Sequence, residues 1–121
     1  MKAKTNQNIA IKKYLEKYAE KEVFYFDDFN FTFSNVVTIP GFDENFEDLI
    51  KTLQSIKENN TLIMLIVNSQ ENSSIQAKNR NHDLIINTKR GFQEIWRSMP
   101  VNYISLHKNN SNSILLIDRS T

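Results

Sequence analysis

Two apolar runs separated by an amphipathic stretch form the clearest hydrophobic pattern along the chain. Residues 36–39 are all β-branched and end at Pro40-Gly41, and residues 61–67 are apolar after their first threonine. Runs of this length and composition predict strands that are buried on both faces. The stretch between them carries apolar side chains at helical spacing, at Phe46, Leu49, Ile50, Leu53 and Ile56. The pattern therefore predicts a strand, a helix and a second strand, which together form a βαβ unit.

The order of these elements predicts where a ligand would bind. Two parallel strands joined by a helix are connected by a right-handed crossover, so their carboxyl ends lie at the same edge of the sheet. Residues 40–44 follow the first strand, and residues 68–69 follow the second. Because open α/β sheets bind ligands at this edge, we expect a binding site there.

The first 33 residues carry two weaker patterns. Residues 6–21 combine apolar positions at helical spacing with lysines and glutamates, which predicts a surface helix. Residues 22–33 are rich in aromatic side chains and contain Asp27-Asp28, which predicts two short strands around a turn.

The last third of the chain predicts a second helical region and a pair of strands. Apolar positions at helical spacing over residues 75–99 predict a second helical region that is broken or bent near Gly91 and closed by Pro100. Its second half would either pack on the sheet or form part of an exposed patch, through Phe92, Ile95, Trp96 and Met99. Residues 103–106 and 114–117 predict two short strands around a turn rich in Asn and Ser.

Composition narrows the class of protein. The 121 residues, of which 40% are hydrophobic and 24% are charged, predict one globular domain. A net charge of +1 provides no basic field for binding nucleic acid, which we do not expect as a partner. The chain has no cysteine, which is compatible with a reducing compartment, and we expect a cytoplasmic protein. The longest apolar run, residues 62–67, is far shorter than a membrane span.

Three polar residues near the predicted carboxyl edge have both a structural and a functional interpretation. Asp43 and Glu44 precede the predicted helix, where carboxylates satisfy free N–H groups and complement the helix dipole. Either carboxylate could instead accept hydrogen bonds from a ribose hydroxyl or a base. Asn68 ends the second strand, and its amide suits a turn as well as the edge of a uracil.

The common catalytic motifs do not occur in this sequence. With only two glycines, the chain cannot form a Gly-rich phosphate loop, and no Gly-x-Ser-x-Gly elbow occurs. His107-Lys108 lacks the His-x-Lys spacing of phospholipase D-like enzymes, so His107 is expected to be structural or solvated, and His82 to be partly buried. Asp27-Asp28 lacks the Asp-x-Asp spacing that holds a metal and a diphosphate. Neither a catalytic residue nor a metal ligand can be assigned.

Three segments, in order, resemble the N-terminal half of glycosyltransferase family 2-like proteins of the GT-A fold. They are "VTIPGFDENFEDLIKTLQSI", "TLIMLIVNSQENSSIQAKNRNHDLI" and "SILLIDRST". In that family a strand ending in Ile-Pro leads through a helix to an apolar strand ending near Asn or Asp. A helix carrying Asn and a strand ending in Asp-Arg-Ser then follow. The resemblance covers residues 36–121 and leaves residues 1–35 as an N-terminal helix and an aromatic strand and turn segment.

The resemblance implies a three-layer, Rossmann-like α/β domain with a mainly parallel sheet. It also implies that this domain binds a nucleotide-diphosphate sugar, of the uridine type. The residues it would place around the nucleoside are Pro40, Asp43 or Glu44, and Asn68, with Asp118 at the inner edge of the site.

The sequence also departs from the family pattern. The family continues beyond "DRST" into a Gly-rich helix, a metal-binding Asp-x-Asp and an acceptor half with the catalytic base. We therefore expect the chain to be catalytically incomplete, with Mg²⁺ or Mn²⁺ required only in a longer form. The alternative is a non-enzymatic α/β interaction protein, which associates as a homodimer or with a partner chain through an exposed sheet edge.

Overall fold

A five-stranded sheet lies at the centre of the computed structural model, which describes residues 9–26, 28–41, 45–68 and 73–119. Three α-helices flank the strands: α1 (Ile11–Tyr18), α2 (Phe46–Ser55) and α3 (Ile75–Gly91). The strands are β1 (Ile9–Ala10), β2 (Thr32–Phe33), β3 (Asn35–Pro40), β4 (Thr61–Asn68), β5 (Gln93–Arg97), β6 (Ile104–Asn109) and β7 (Asn112–Arg119). A 3₁₀ helix covers Glu20–Tyr25. The central sheet has the order β3-β4-β7-β6-β5, and β1 pairs with β2 separately.

The predicted βαβ unit is confirmed. β3 and β4 are parallel, with Asn35 opposite Thr61, and α2 connects them. The N-cap of the helix is Asn45, a role not predicted from the sequence, and its side chain accepts a hydrogen bond from the Asp48 amide at 2.9 Å. Glu47 and Asp48 occupy the first turn, where negative charge is favourable.

The sheet is α/β but only partly parallel. β7 is parallel to β4, whereas β6 is antiparallel to β7 and β5 is antiparallel to β6. The hairpin of β6 and β7 confirms the predicted strand pair around a polar turn, in which Asn110 adopts φ 53°. Two of the four strand pairings are therefore parallel.

The predicted break near Gly91 is present, but the prediction of a second helical part beyond it is wrong. α3 ends at Gly91, and β5 follows at once. A register shift between Glu94 and Trp96 is a β-bulge, which disturbs the alternation that marks a strand in sequence. As a result Ile95 and Trp96, although adjacent, both pack against the same core cluster.

The aromatic N-terminal segment also differs from its prediction. A 3₁₀ helix occupies the first part of the segment, and only Thr32–Phe33 is a strand. Asp27 lies outside the described residues, and Asp28 is exposed in a turn. Phe26 and Phe29 are buried against Trp96, with ring centroids 5.3 and 4.8 Å from it. Packing of these rings against the sheet stabilises the segment in place of strand pairing.

Each face of the sheet carries its own apolar cluster. The N-terminal elements cover one face, and α2 and α3 cover the other. The first cluster is centred on Leu15, Phe26, Met64, Leu106 and Leu115, and the second on Leu49, Leu65, Leu84, Ile114 and Leu116. Both crossover helices therefore lie on one face, and the chain returns across the sheet from β5 through β6 to β7, which lies beside β4.

Candidate functional site

The predicted carboxyl edge contains the ends of β3, β4 and β7, together with the end of β5 at Arg97. β3 ends at Pro40, β4 at Asn68 and β7 at Arg119. In the register of the sheet, Pro40 lies opposite Ile66, Asn68 opposite Arg119, and Asp118 opposite Val67. Three of the predicted site residues, Pro40, Asn68 and Asp118, thus lie at one edge of the sheet.

Their side chains do not all share one face of the sheet. Ile66 and Ile117 pack with the N-terminal elements, whereas Val67 and Leu116 pack with α2 and α3. By alternation, Asn68 and Arg119 lie on the first of these faces and Asp118 on the second. The structure therefore places Asn68 beside Arg119 and separates both from Asp118. Asp43 and Glu44 lie outside the described residues, so their assignment stays a prediction.

A buried ion pair occupies the end of β7. The side chain of Glu22 is 0% exposed, and that of Arg119 is 19% exposed. Arg119 Nε donates to Glu22 Oε2 at 3.0 Å, and Arg119 Nη2 donates to Glu22 Oε1. The Tyr103 hydroxyl donates to Oε2 at 3.3 Å. Glu22, Tyr103 and Arg119 form the Glu22 cluster, which connects the 3₁₀ helix to the carboxyl edge of the sheet.

The Glu22 cluster was not predicted from the sequence, because its members are 97 and 81 residues apart and share no motif. Both carboxylate oxygens accept hydrogen bonds, so the buried charge is compensated. Burial, followed by the negative charge of Glu22, raises the pKa of Tyr103 above its ordinary value. These contacts give the cluster a structural role.

A small cavity lies beside the predicted carboxyl edge of the sheet. This cavity of about 30 Å³ lies among Ile39, Asn45, Asp48, Leu49, Thr52, Leu65 and Leu84. Sites for small molecules usually measure about 300–1,000 Å³. An open groove of about 310 Å³ is lined by Ile50, Leu53, Gln54, Phe92, Asn109 and Asn110, none of which belongs to the predicted site. The cavity beside the carboxyl edge is therefore much smaller than a nucleoside site.

The outer edge of β3 is the second candidate site. Within the described residues, β3 pairs with β4 alone. Gly41, which follows β3, donates its amide to the Ile66 carbonyl at 2.7 Å. Backbone groups alternate in direction along a strand, so the amides and carbonyls of Val36 and Thr38 point away from β4. β3 was expected to be buried on both faces; instead it is a half-exposed edge strand, with Val37 37% exposed.

The two edges of the sheet differ in how they are protected. β5, at the other edge, carries Glu94 and Arg97 and the bulge between Glu94 and Trp96. Charges and bulges are the features that keep edge strands from pairing with other chains. β3 has no charged side chain, and its ladder with β4 is regular from Asn35 to Pro40. Within the described residues, the edge at β3 is therefore the more open one, and its protection is limited to Pro40 at its end, which has no N–H.

The two histidines have structural or solvent-exposed positions. His107 is buried in β6, and its Nε2 lies 2.8 Å from Ser105 Oγ. Burial lowers the pKa of His107 below its ordinary value, although Glu94 on β5 opposes this. His82 is exposed, which corrects the expectation that it is partly buried.

Two further features concern metals and membranes. Across residues 9–26, 28–41, 45–68 and 73–119, no group of three histidine, aspartate or glutamate side chains is placed to hold a metal ion. Among the helices of the same ranges, none has the length and apolar character that crossing a bilayer requires.

The chain was also compared with known proteins. No family model matches it, and neither a curated protein nor a solved structure matches it. The resemblance to glycosyltransferase family 2-like proteins gains no support from these comparisons and stays a prediction.

Proposed function

We propose that the protein is a non-enzymatic interaction protein that binds an extended polypeptide segment along β3. The proposal rests on the open edge of β3, where the backbone groups of Val36 and Thr38 point outward and no charge or bulge blocks pairing. An extended segment bound there would add a strand to the sheet, with main-chain hydrogen bonds supplying affinity.

Side chains beside the free backbone would favour an apolar or β-branched ligand. Asn35, Val37 and Ile39 lie on the face covered by α2 and α3, and Val36 and Thr38 lie on the opposite face. β-branched side chains favour strands because they pack well on a pleated, half-buried surface. A segment with Val, Ile or Thr opposite Val37 would gain most.

A labelled peptide tests this proposal. A peptide of alternating valine and threonine, with lysines at both ends for solubility, is titrated into ¹⁵N-labelled protein. We expect the amide resonances of Val36 and Thr38 to shift, because these N–H groups become bonded. The variant Val37→Pro should abolish the shifts by breaking the strand, whereas Gln93→Pro on β5 should leave them intact. Shifts confined to β5, or none at millimolar peptide, would rule the proposal out.

A nucleotide-sugar-binding domain is the second candidate, favoured by the position of Asn68 beside Arg119 at the ends of two parallel strands. In this proposal the domain is Rossmann-like, with three layers, and Asn68 reads a uracil edge while Arg119 contributes positive charge near the phosphates. The guanidinium of Arg119 already donates two hydrogen bonds to Glu22, which leaves fewer of its N–H groups for a phosphate. The backbone of Asn68 is well held, because Asn81 Nδ2 donates to its carbonyl at 3.0 Å.

Titration with UDP, without metal, tests the second candidate. We expect the amides of Gly41, Asn68 and Arg119 to shift at millimolar nucleotide. Asn68→Ala should weaken binding about tenfold, because the uracil edge would lose its donor and acceptor, and Asn109→Ala should not change it. Equal binding by wild type and Asn68→Ala would exclude this site.

A further inference from the structure

The open edge of β3 is self-complementary, because its free backbone groups and its side chains can pair with those of a second β3. We infer that the segment that pairs with β3 is β3 of a second copy of this chain, in an antiparallel arrangement about a two-fold axis. This inference rests on the proposed function and names its partner. It predicts one continuous sheet that runs through both copies.

The register of the pairing follows from the free backbone groups. When Val36 of one copy lies opposite Thr38 of the other, each of the two symmetry-related pairs exchanges both of its N–H···O bonds. Every outward amide and carbonyl of Val36 and Thr38 then has a partner. Val37 lies on the axis, opposite Val37 of the second copy.

The residues that flank the strand disfavour the neighbouring registers. A shift that places Pro40 opposite Val36 leaves the Val36 carbonyl without a donor, because proline has no N–H. A shift that places Ser34 opposite Thr38 requires the Ser34 amide, which already donates to the Asn60 carbonyl at 2.9 Å. The arrangement centred on Val37 is the one that uses the free groups of Val36 and Thr38 completely.

The side chains are compatible with the same arrangement. None of the six residues of β3 is charged, so two copies meet without like-charge repulsion. Val37 is 37% exposed, and on the axis it would be covered by its own counterpart. Asn35 would lie opposite Ile39 on the same face of the sheet. A two-fold interface of this kind is closed, which stops further growth at β3.

Disulfide trapping tests the pairing directly, because the chain contains no natural cysteine. In the proposed register, the two Val37 residues form a non-hydrogen-bonded pair, with Cα atoms about 4.5 Å apart. That separation allows a disulfide. We expect Val37→Cys to give a covalent dimer rapidly under mild oxidation, and Gln93→Cys, on the opposite edge, to remain largely monomeric.

Sedimentation of the unmodified chain and of Val37→Lys supplies the second measurement. We expect the wild type to dimerise reversibly and Val37→Lys, which brings two like charges face to face, to dimerise at least tenfold more weakly. Gln93→Lys is the matched control and should dimerise as the wild type does. Circular dichroism establishes that each variant is folded.

The possible results separate this inference from the proposed function. A monomeric wild type that binds the valine and threonine peptide at Val36 and Thr38 would overturn the second copy as partner and leave the proposed function standing. A monomer that binds no peptide would overturn both. Equal trapping of Val37→Cys and Gln93→Cys would also overturn the inference. A dimer that forms only after removal of residues 1–8 would overturn it as well, because the edge of the intact chain would then be occupied.

Discussion

Replacing Arg119 with methionine is expected to lower the free energy of unfolding by about 3 kcal/mol or more, because Glu22 would be left as an uncompensated buried charge. Glu22 is fully buried, and its two oxygens accept bonds from Arg119 and Tyr103. Tyr103 alone cannot neutralise the carboxylate. Urea unfolding followed by circular dichroism at pH 7 measures the loss.

The double variant Glu22→Leu with Arg119→Met separates the buried charge from lost packing. Replacing both members of a buried ion pair by apolar residues is often neutral or stabilising. We expect the double variant to recover most of the stability that the single variant loses. A single variant as stable as the wild type, or a double variant that loses at least as much as the single one, would contradict the structural role of the Glu22 cluster.

Phe26→Ala is expected to lower the free energy of unfolding by about 3–5 kcal/mol, the usual cost of removing a fully buried aromatic ring. The ring is 0% exposed. It stacks on Trp96 at a centroid distance of 5.3 Å and meets the edge of Phe29 at 5.2 Å. Trp96 is the single tryptophan of the chain, so its fluorescence should also shift to longer wavelength as water reaches it.

Phe24→Ala is the matched control for this variant. Phe24 is 78% exposed and lies on the same N-terminal segment, two positions before Phe26. Its removal should change stability by less than about 0.5 kcal/mol and leave the fluorescence unchanged. Equal losses for the two variants would show that the segment does not pack on the sheet through Phe26.

Patterns in the sequence predicted those helices and strands whose apolar residues follow a regular spacing over contiguous positions. The βαβ unit could be recognised because the apolar run of β3, the apolar face of α2 and the apolar run of β4 are each contiguous in sequence. β5 could not be recognised, because the bulge disturbs its alternation and its apolar spacing imitates a helix. Of the two alternatives for these residues, packing on the sheet is confirmed for Phe92, Ile95 and Trp96, whereas Met99 is 81% exposed.

The candidate sites depend on the face of the sheet that each side chain occupies and on the position of each strand in the sheet. Sequence patterns give neither. Pro40 and Asn68 lie at one edge as predicted, because parallel strands end at the same edge of a sheet. Asp118, which only the family resemblance placed near them, lies at this edge too. The face on which each side chain lies follows from packing, and packing separates Asp118 from Asn68. Position within the sheet likewise cannot be read from a short β-branched run. β3 and β4 look alike in sequence, yet β4 is central and β3 is at the edge.

Hydrogen exchange of the β3 amides, measured as a function of protein concentration, tests the central claim most directly. The amides of Val36 and Thr38 point outward, whereas those of Val37 and Ile39 point toward β4 and serve as internal controls. We predict that exchange at Val36 and Thr38 slows progressively from micromolar to millimolar protein, while exchange at Val37 and Ile39 is slow throughout. Exchange at Val36 and Thr38 that is independent of concentration, whether fast or slow, would contradict self-pairing along β3.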